Sequence, residues 1–198
     1  MKGKLFFVLF VLCVFPKGAF ALTPKGTGAY QKYYASGTLQ SEAQYKDGKI
    51  DGEKKEYWEN GHLMKATSYK EGVIQGVAKE FYEGGQLKSE KIYANDQLQG
   101  EVKEYYANGI LKIIGMAEKG GFHGLMKSFY PEGQKWEEAE FKEGQQEGKT
   151  AIFYQSGTVK TEKVYGADQC LTKRDYDEEG HLVLEGPCGP PKPIEKNE

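Results

Sequence analysis

Tyr57-Trp58-Glu59-Asn60-Gly61-His62-Leu63, then Tyr69-Lys70-Glu71-Gly72 and Gly76, is the stretch whose reading decides the fold. It holds an aromatic pair, an Asn-Gly turn, a leucine, a second aromatic and a second glycine turn. Asn-Gly between apolar positions is a strong hairpin signal, because tight hairpin turns need positive φ. Two glycine-marked turns with strand-length segments between them read as one β-hairpin. Two ordinary helices do not fit in the same length. The second turn, from Lys46-Asp47-Gly48 through Gly52 in the preceding unit, reads as the longer one. The apolar residue midway between its glycines (Ile50, Ile74, Leu98 or Phe122) reads as a plug folded back over the sheet edge.

Outward from this stretch the pattern recurs every 24 residues. The aromatic pairs are Tyr33-Tyr34, Tyr57-Trp58, Phe81-Tyr82, Tyr105-Tyr106, Phe129-Tyr130 and Phe153-Tyr154. The turn glycines Gly37, Gly61, Gly85, Gly109, Gly133 and Gly157 follow in phase. A degenerate last unit reads Tyr176, Gly180, Leu182, and Asp96 and Asp168 replace second-turn glycines. Asp visits the left-handed region more readily than most residues, so the turn survives there. Tandem hairpins of this kind pair side by side, each stabilised by its neighbours. The predicted architecture is all-β: an elongated single-layer antiparallel sheet built from tandem 24-residue β-hairpin repeats. At two strands per repeat, six repeats span on the order of 60 Å.

Neighbouring residues of a strand point to opposite faces, so each aromatic pair makes two ladders. The first is Tyr33, Tyr57, Phe81, Tyr105, Phe129 and Phe153; the second is Tyr34, Trp58, Tyr82, Tyr106, Tyr130 and Tyr154. Phe tolerates full burial, whereas Tyr and Trp need a partner for their polar atom. The first ladder is therefore expected on the better-covered side, with Leu39, Leu63, Leu87 and Leu111. The second, amphipathic and partly exposed, is the candidate binding surface, since Tyr and Trp carry much of the energy at interfaces. On this reading Trp58→Ala with Tyr106→Ala weakens partner binding and leaves stability nearly unchanged. Lys- and Glu-rich positions such as Glu53-Lys54-Lys55-Glu56 suit cross-strand charge pairs.

The ends differ from the repeats. Met1 to Lys4 is basic, Leu5 to Phe15 is an apolar run, and Ala19-Phe20-Ala21 is a cleavage site; residues 1–21 read as a secretory signal peptide. The run is too short to cross a bilayer as a helix. Residues 22–29 form a lead-in, 30–185 the repeat domain, and 186–198 a Pro-rich tail expected to be disordered. Without the leader, 24 basic residues remain against 29 acidic ones, a net charge of −5. That balance, with no Lys/Arg block, speaks against nucleic acid and against anionic membrane surfaces as partners. Leu, Ile, Val and Phe make up only about 16% of the mature chain, too little for a thick core. In an exported protein Cys170 and Cys188 are expected to pair, tying the tail to the last repeat.

The pattern from Tyr57 to Gly76 resembles the variant MORN repeat, which also occurs in proteins labelled YwqK-type antitoxins; the likeness covers roughly Tyr33 to Leu182. The resemblance implies stacked β-hairpins and roles in protein or lipid contact and scaffolding. The residues themselves carry no catalytic, cofactor or metal motif: His62, His123 and His181 fall in turn or loop slots, and Glu137-Glu138 alternate faces. The functional expectation is a non-enzymatic exported module that binds another envelope or extracellular protein. An immunity protein against an exported toxin, and a glycan or cell-wall binder, are the alternatives. Self-association through open sheet edges is a further possibility raised by the fold.

Overall fold

The computed structural model describes residues 26–189. The leader at 1–21, the lead-in up to residue 25 and the tail from residue 190 lie outside the described residues. Fifteen strands form a single antiparallel sheet. They are β1 (Gly28–Tyr33), β2 (Leu39–Lys46), β3 (Lys49–Ile50), β4 (Gly52–Tyr57), β5 (Leu63–Lys70), β6 (Val73–Phe81), β7 (Leu87–Ala94) and β8 (Gln97–Tyr105). There follow β9 (Leu111–Glu118), β10 (Gly121–Phe129), β11 (Lys135–Lys142), β12 (Gln145–Phe153), β13 (Val159–Gly166), β14 (Gln169–Tyr176) and β15 (Leu182–Pro187). Each strand pairs with its neighbours in sequence, β3 being a short separate piece against β2. The sheet does not close: β1 and β15 are its edges. The last strand runs to Pro187, beyond the boundary at 185, and Cys188 is joined to Cys170 with Cα atoms 5.6 Å apart.

The two turns of each repeat differ from the sequence expectation. At Asn60-Gly61 the turn holds three residues: Gly61 N–H donates to Trp58 O, Trp58 N–H donates to His62 O, and only Gly61 has positive φ. Asn60 has a different use. Its Oδ1 accepts from His62 N–H and its Nδ2 donates to Glu83 O of the next repeat. The tight two-residue turn is the second one, with Asp47 and Gly48 both at positive φ and Lys46 paired to Lys49. Positive φ at both central residues marks a type I′ turn, whose twist matches the flanking strands. The chain therefore returns at once into the sheet. Ile50, Ile74, Leu98 and Phe122 do not fold back as plugs; they pair with Tyr45, Tyr69, Tyr93 and Ala117.

These same residues join repeats through their backbone. Gly72 N–H donates to Ile50 O, Asp96 to Ile74 O, Gly120 to Leu98 O, Gly144 to Phe122 O and Asp168 to Gln146 O. The turns thus stack one on the next. Asp96 and Asp168 take the left-handed conformation, and their carboxylates also accept from Ile74 N–H and Gln146 N–H. That extra bond offsets the conformational preference lost with glycine. Stacking also sets a steric limit: a Cβ on Gly121 would meet Gly144 Cα at 2.6 Å.

Burial is heavier on one face, although Ala66 and Phe153 are buried on the other. Register pairs link Lys54, Thr67, Ala78, Lys91, Val102 and Gly115 across one face. Met126 packs against Gly115, and pairing continues through Ala139, Thr150 and Lys163. Thr67, Ala78, Val102, Met126, Ala139 and Thr150 are all buried, Ala139 completely at 0% exposure. Small side chains are covered by the longer ones beside them, so a single layer acquires a core without a second layer. The better-covered side is therefore built on this row, and not on the first aromatic ladder, of which only Phe153 is buried while Tyr33 is 49% exposed.

The opposite face carries charge. Its central row runs Glu42, Lys55, Ala66, Lys79, Glu90, Lys103, Ile114, Lys127, Glu138, Ala151 and Glu162 by direct pairing. Lys79–Glu90 meet at 2.8 Å and Lys127–Glu138 at 3.6 Å. Such half-exposed pairs each contribute only a few tenths of a kcal/mol, ~0.2–1. The first ladder lies on this face, and Tyr57, Phe81 and Tyr105 pair with Leu63, Leu87 and Leu111 as the aromatic-leucine association predicts.

Candidate interaction surface

The second ladder is built into the sheet. Tyr34 Oη donates to Tyr57 O at 2.6 Å, and Tyr82 Oη to Tyr105 O and Tyr106 Oη to Phe129 O at 2.8 Å each. Tyr130 Oη donates to Phe153 O and Tyr154 Oη to Tyr176 O, both at 2.9 Å. Each tyrosine begins a three-residue turn and reaches the backbone of the following hairpin. Its hydroxyl caps the carbonyl of the first-ladder residue there or, for Tyr154, of Tyr176 in the degenerate last unit. The polar handle that made these residues binding candidates is engaged between repeats, so Tyr106→Ala removes an inter-repeat bond and cannot be neutral for stability. Trp58 occupies the remaining rung. Its indole Nε1 is buried without a partner, because the indole N–H does not take the place of the hydroxyl.

Ring faces of the ladder meet the residue six positions on. Lys88, Lys112 and Lys160 lie 5.9, 5.7 and 5.3 Å from the ring centroids of Tyr82, Tyr106 and Tyr154. Trp136 sits 6.4 Å from Tyr130 in the same slot. Cations over aromatic faces at exposed sites are worth about 0.5–1 kcal/mol. The rim beside the three-residue turns is thus lined by exposed lysines and one tryptophan.

A second surface was missed in the sequence. On the charged face, the row beyond the Lys/Glu row contains Val77 paired with Ile92, Met116 paired with Glu101, Leu125 paired with Glu140, and Val164 paired with Lys149. All five apolar side chains are exposed. Their repeat positions also hold Gln44, Glu53, Ser68, Glu101, Glu140 and Lys149, so no single period marks them. The signal was the replacement of polar by apolar residues at Val77, Ile92, Met116, Leu125 and Val164.

Electrostatics separates the two faces further. Tyr57 Oη donates to Glu42 at 2.7 Å; burial together with that carboxylate raises the phenol to about 12, and the same bond lowers Glu42. Tyr176 and Glu162 repeat the pair at 2.7 Å. Adjacent Glu137 and Glu138 shift in opposite directions. Burial beside Ile152 raises Glu137, while the Lys135 ammonium, 3.0 Å away, lowers Glu138. The two carboxylates point to opposite faces and share no cleft.

Among the described residues, no three His, Cys, Asp or Glu side chains group as a metal site would require. His62 Nδ1 lies 2.7 Å from Glu83 O, and His181 Nδ1 lies 3.2 Å from Asp177. A trough of about 310 Å³ near the last hairpins is lined by Lys149, Glu162, Lys163, Arg174 and Glu185, with both signs of charge interleaved. No helix among the described residues is long and apolar enough to cross a membrane.

Five segments, residues 27–47, 50–71, 74–95, 98–116 and 122–143, match the family described as MORN repeat variant and together span more than half of the chain. The sheet continues past the last of these segments, through β12 to β15. No curated protein matches the chain. Repeats of this kind are non-catalytic and generally mediate protein–protein or membrane interactions. With one hairpin per 24 residues joined in register into a single open sheet, and five segments matched, this chain belongs to the MORN repeat variant family.

Proposed function

We propose that the protein is an exported, non-enzymatic interaction module that docks a protein of the cell envelope or extracellular space through the charged face of its sheet. The observation that carries this reading is the exposed row Val77, Ile92, Met116 and Leu125 beside a Lys/Glu row. Exposed apolar side chains bordered by charged ones are the kind of surface a protein partner covers. The ladder Tyr34, Trp58, Tyr82, Tyr106, Tyr130 and Tyr154 contributes at the rim, through the ring faces near Lys88, Lys112, Trp136 and Lys160. Export rests on the leader at 1–21, and the protein acts in the periplasm or outside the cell. The net charge of −5 favours a protein partner over an anionic lipid surface.

The test is capture from envelope and culture-medium fractions with oxidised residues 22–198 as bait. Wild type is compared with Ile92→Asp/Leu125→Asp and with Tyr106→Phe. A protein retained by wild type and by Tyr106→Phe, but lost with the double variant, is the expected result. Retention by all three baits removes the charged face from the account, and retention of glycan alone removes the protein partner. The leader has its own check: mass spectrometry of the exported chain is expected to show Leu22 as the first residue.

A further inference from the structure

The two edges of the sheet are of opposite strand type. Within each repeat, one strand leaves the three-residue turn and carries Leu39, Leu63, Leu87 or Leu111 at its start; a second strand leads into that turn and ends at the first-ladder aromatic. The sheet begins with β1, which ends at Tyr33 and is of the second type. It finishes with β15, which starts at Leu182 opposite Tyr176 and is of the first type. Inside the sheet every strand of the first type is followed by one of the second. Among the described residues, strand β15 lacks such a successor and β1 is one without a predecessor.

Exposure at the edges matches this incompleteness. Leu184 stands at the repeat position of Ser89 and Thr161, which are 4% and 6% exposed, yet Leu184 itself is 56% exposed. The internal counterparts are covered by a following strand through the pairs Ser89↔Glu104 and Thr161↔Asp175. Beside Leu184, Leu182 and Val183 are exposed as well. At the other edge Tyr33 is the most exposed member of its ladder. Pro187 does not obstruct pairing: its counterparts Ser68, Ile92 and Glu140 fall in register shifts, outside the paired positions.

We infer that a second copy of this chain docks head to tail, with β15 of one molecule pairing antiparallel to β1 of the next in the register of β5 and β6. Lys65↔Glu80, Ala66↔Lys79 and Thr67↔Ala78 then translate to Leu184↔Lys32, Glu185↔Gln31 and Gly186↔Tyr30. The Gln31 amide, which donates to Glu42 within its own molecule, also faces a carboxylate across the new seam. One inter-repeat element is missing there. The rung position is Asp177, whose carboxylate accepts from His181 N–H, so no hydroxyl reaches across to Tyr33 O. The association is accordingly weaker than pairing within the chain and depends on concentration. Because the two surfaces differ, it is heterologous and extends into linear assemblies. The inference is independent of the charged-face docking proposed above.

Sedimentation velocity of oxidised residues 22–198 over a concentration series tests it. Wild type is expected to shift to larger species as concentration rises. Leu184→Lys sets two lysines against each other at the seam and removes a leucine that the seam would cover, raising the dissociation constant about tenfold or more. Adding Lys32→Glu recreates the Lys65–Glu80 pair in that register and is expected to recover about three- to fivefold. Leu184 is exposed, so both variants are expected to keep the wild-type circular dichroism and melting temperature. A wild type that stays monomeric to about 1 mM, the weak limit of measurable association, overturns the inference. Loss with Leu184→Lys and no recovery in the double variant overturns the head-to-tail register, because β15 is then pairing with something other than β1.

Discussion

On one face of the sheet, Thr67, Ala78, Val102, Met126, Ala139 and Thr150 line up strand after strand and are buried. Across the same strands, one residue away, the other face shows Lys79, Glu90, Lys127 and Glu138 in pairs, and beside them Val77, Ile92, Met116 and Leu125 open to solvent. The difference teaches how a single layer solves its burial problem. It has no second layer to cover a row of large apolar side chains. Small residues are covered by their own neighbours instead, and the larger apolar residues of the middle repeats remain available on the opposite face. Stability and recognition are thereby assigned to alternate residues of the same strands.

The sharpest way to break this division is to charge the buried row. Ala139→Asp is expected to lower stability by about 3 kcal/mol or more, since an unpaired carboxylate has no partner there. Chemical denaturation reads the loss; an unchanged midpoint would show that the row is not a core. The same substitution type on the other face, Leu125→Asp, is expected to change stability by less than about 0.5 kcal/mol. Equal losses from the two would erase the distinction between the faces.

Smaller effects sharpen it. Trp58→Tyr should place a hydroxyl on the one rung that lacks it and satisfy Phe81 O, for a gain of about 1 kcal/mol measured as a higher denaturation midpoint. A loss instead would mean that indole packing matters more than the inter-repeat bond. Glu137 gives the smallest effect and a pH dependence. Burial raises its carboxyl, so its ionised form opposes folding once pH exceeds the unfolded value. Glu137→Gln is therefore expected to raise the melting temperature at pH 7 by under about 2 °C. The gain should fade as pH falls below the ordinary carboxylate range, where both side chains are neutral. Glu42 has the opposite sign. Its lowered carboxyl contributes stability above the unfolded value and loses it as pH falls through the folded one. Glu42→Gln is expected to lower the midpoint at pH 7 and to matter little in acid.

Much of the fold was legible because turns leave a strict signature. Gly61, Gly72 and Gly76 and their counterparts keep phase, and the phase alone implied one hairpin per repeat. Which turn is tight is not marked in the sequence, because Asn60-Gly61 carries the familiar dipeptide while Glu71, Lys119 and Ala167 adopt positive φ with no sequence mark. Left-handed backbone at such residues is imposed by the strands on either side. The buried row was not legible for a different reason. One of its two repeat positions holds Ala43, Thr67, Lys91, Gly115, Ala139 and Lys163 and the other Tyr30, Lys54, Ala78, Val102, Met126 and Thr150, mixtures in which lysine and polar residues interrupt any hydrophobic period. Likewise, the ladder tyrosines were recognised as residues needing a partner, but the partner lies 23 positions away, and only the stacking of hairpins brings Tyr82 Oη to Tyr105 O.

The central claim is that the second ladder joins one hairpin to the next, and the most direct measurement is equilibrium urea unfolding of Tyr82→Phe/Tyr106→Phe/Tyr130→Phe. Each hydroxyl removed leaves a half-buried carbonyl without its donor, at about 1 kcal/mol apiece, so the triple variant is expected to lose about 3 kcal/mol at unchanged denaturant slope. A midpoint equal to that of wild type would contradict the claim and return the ladder to the role of a binding surface.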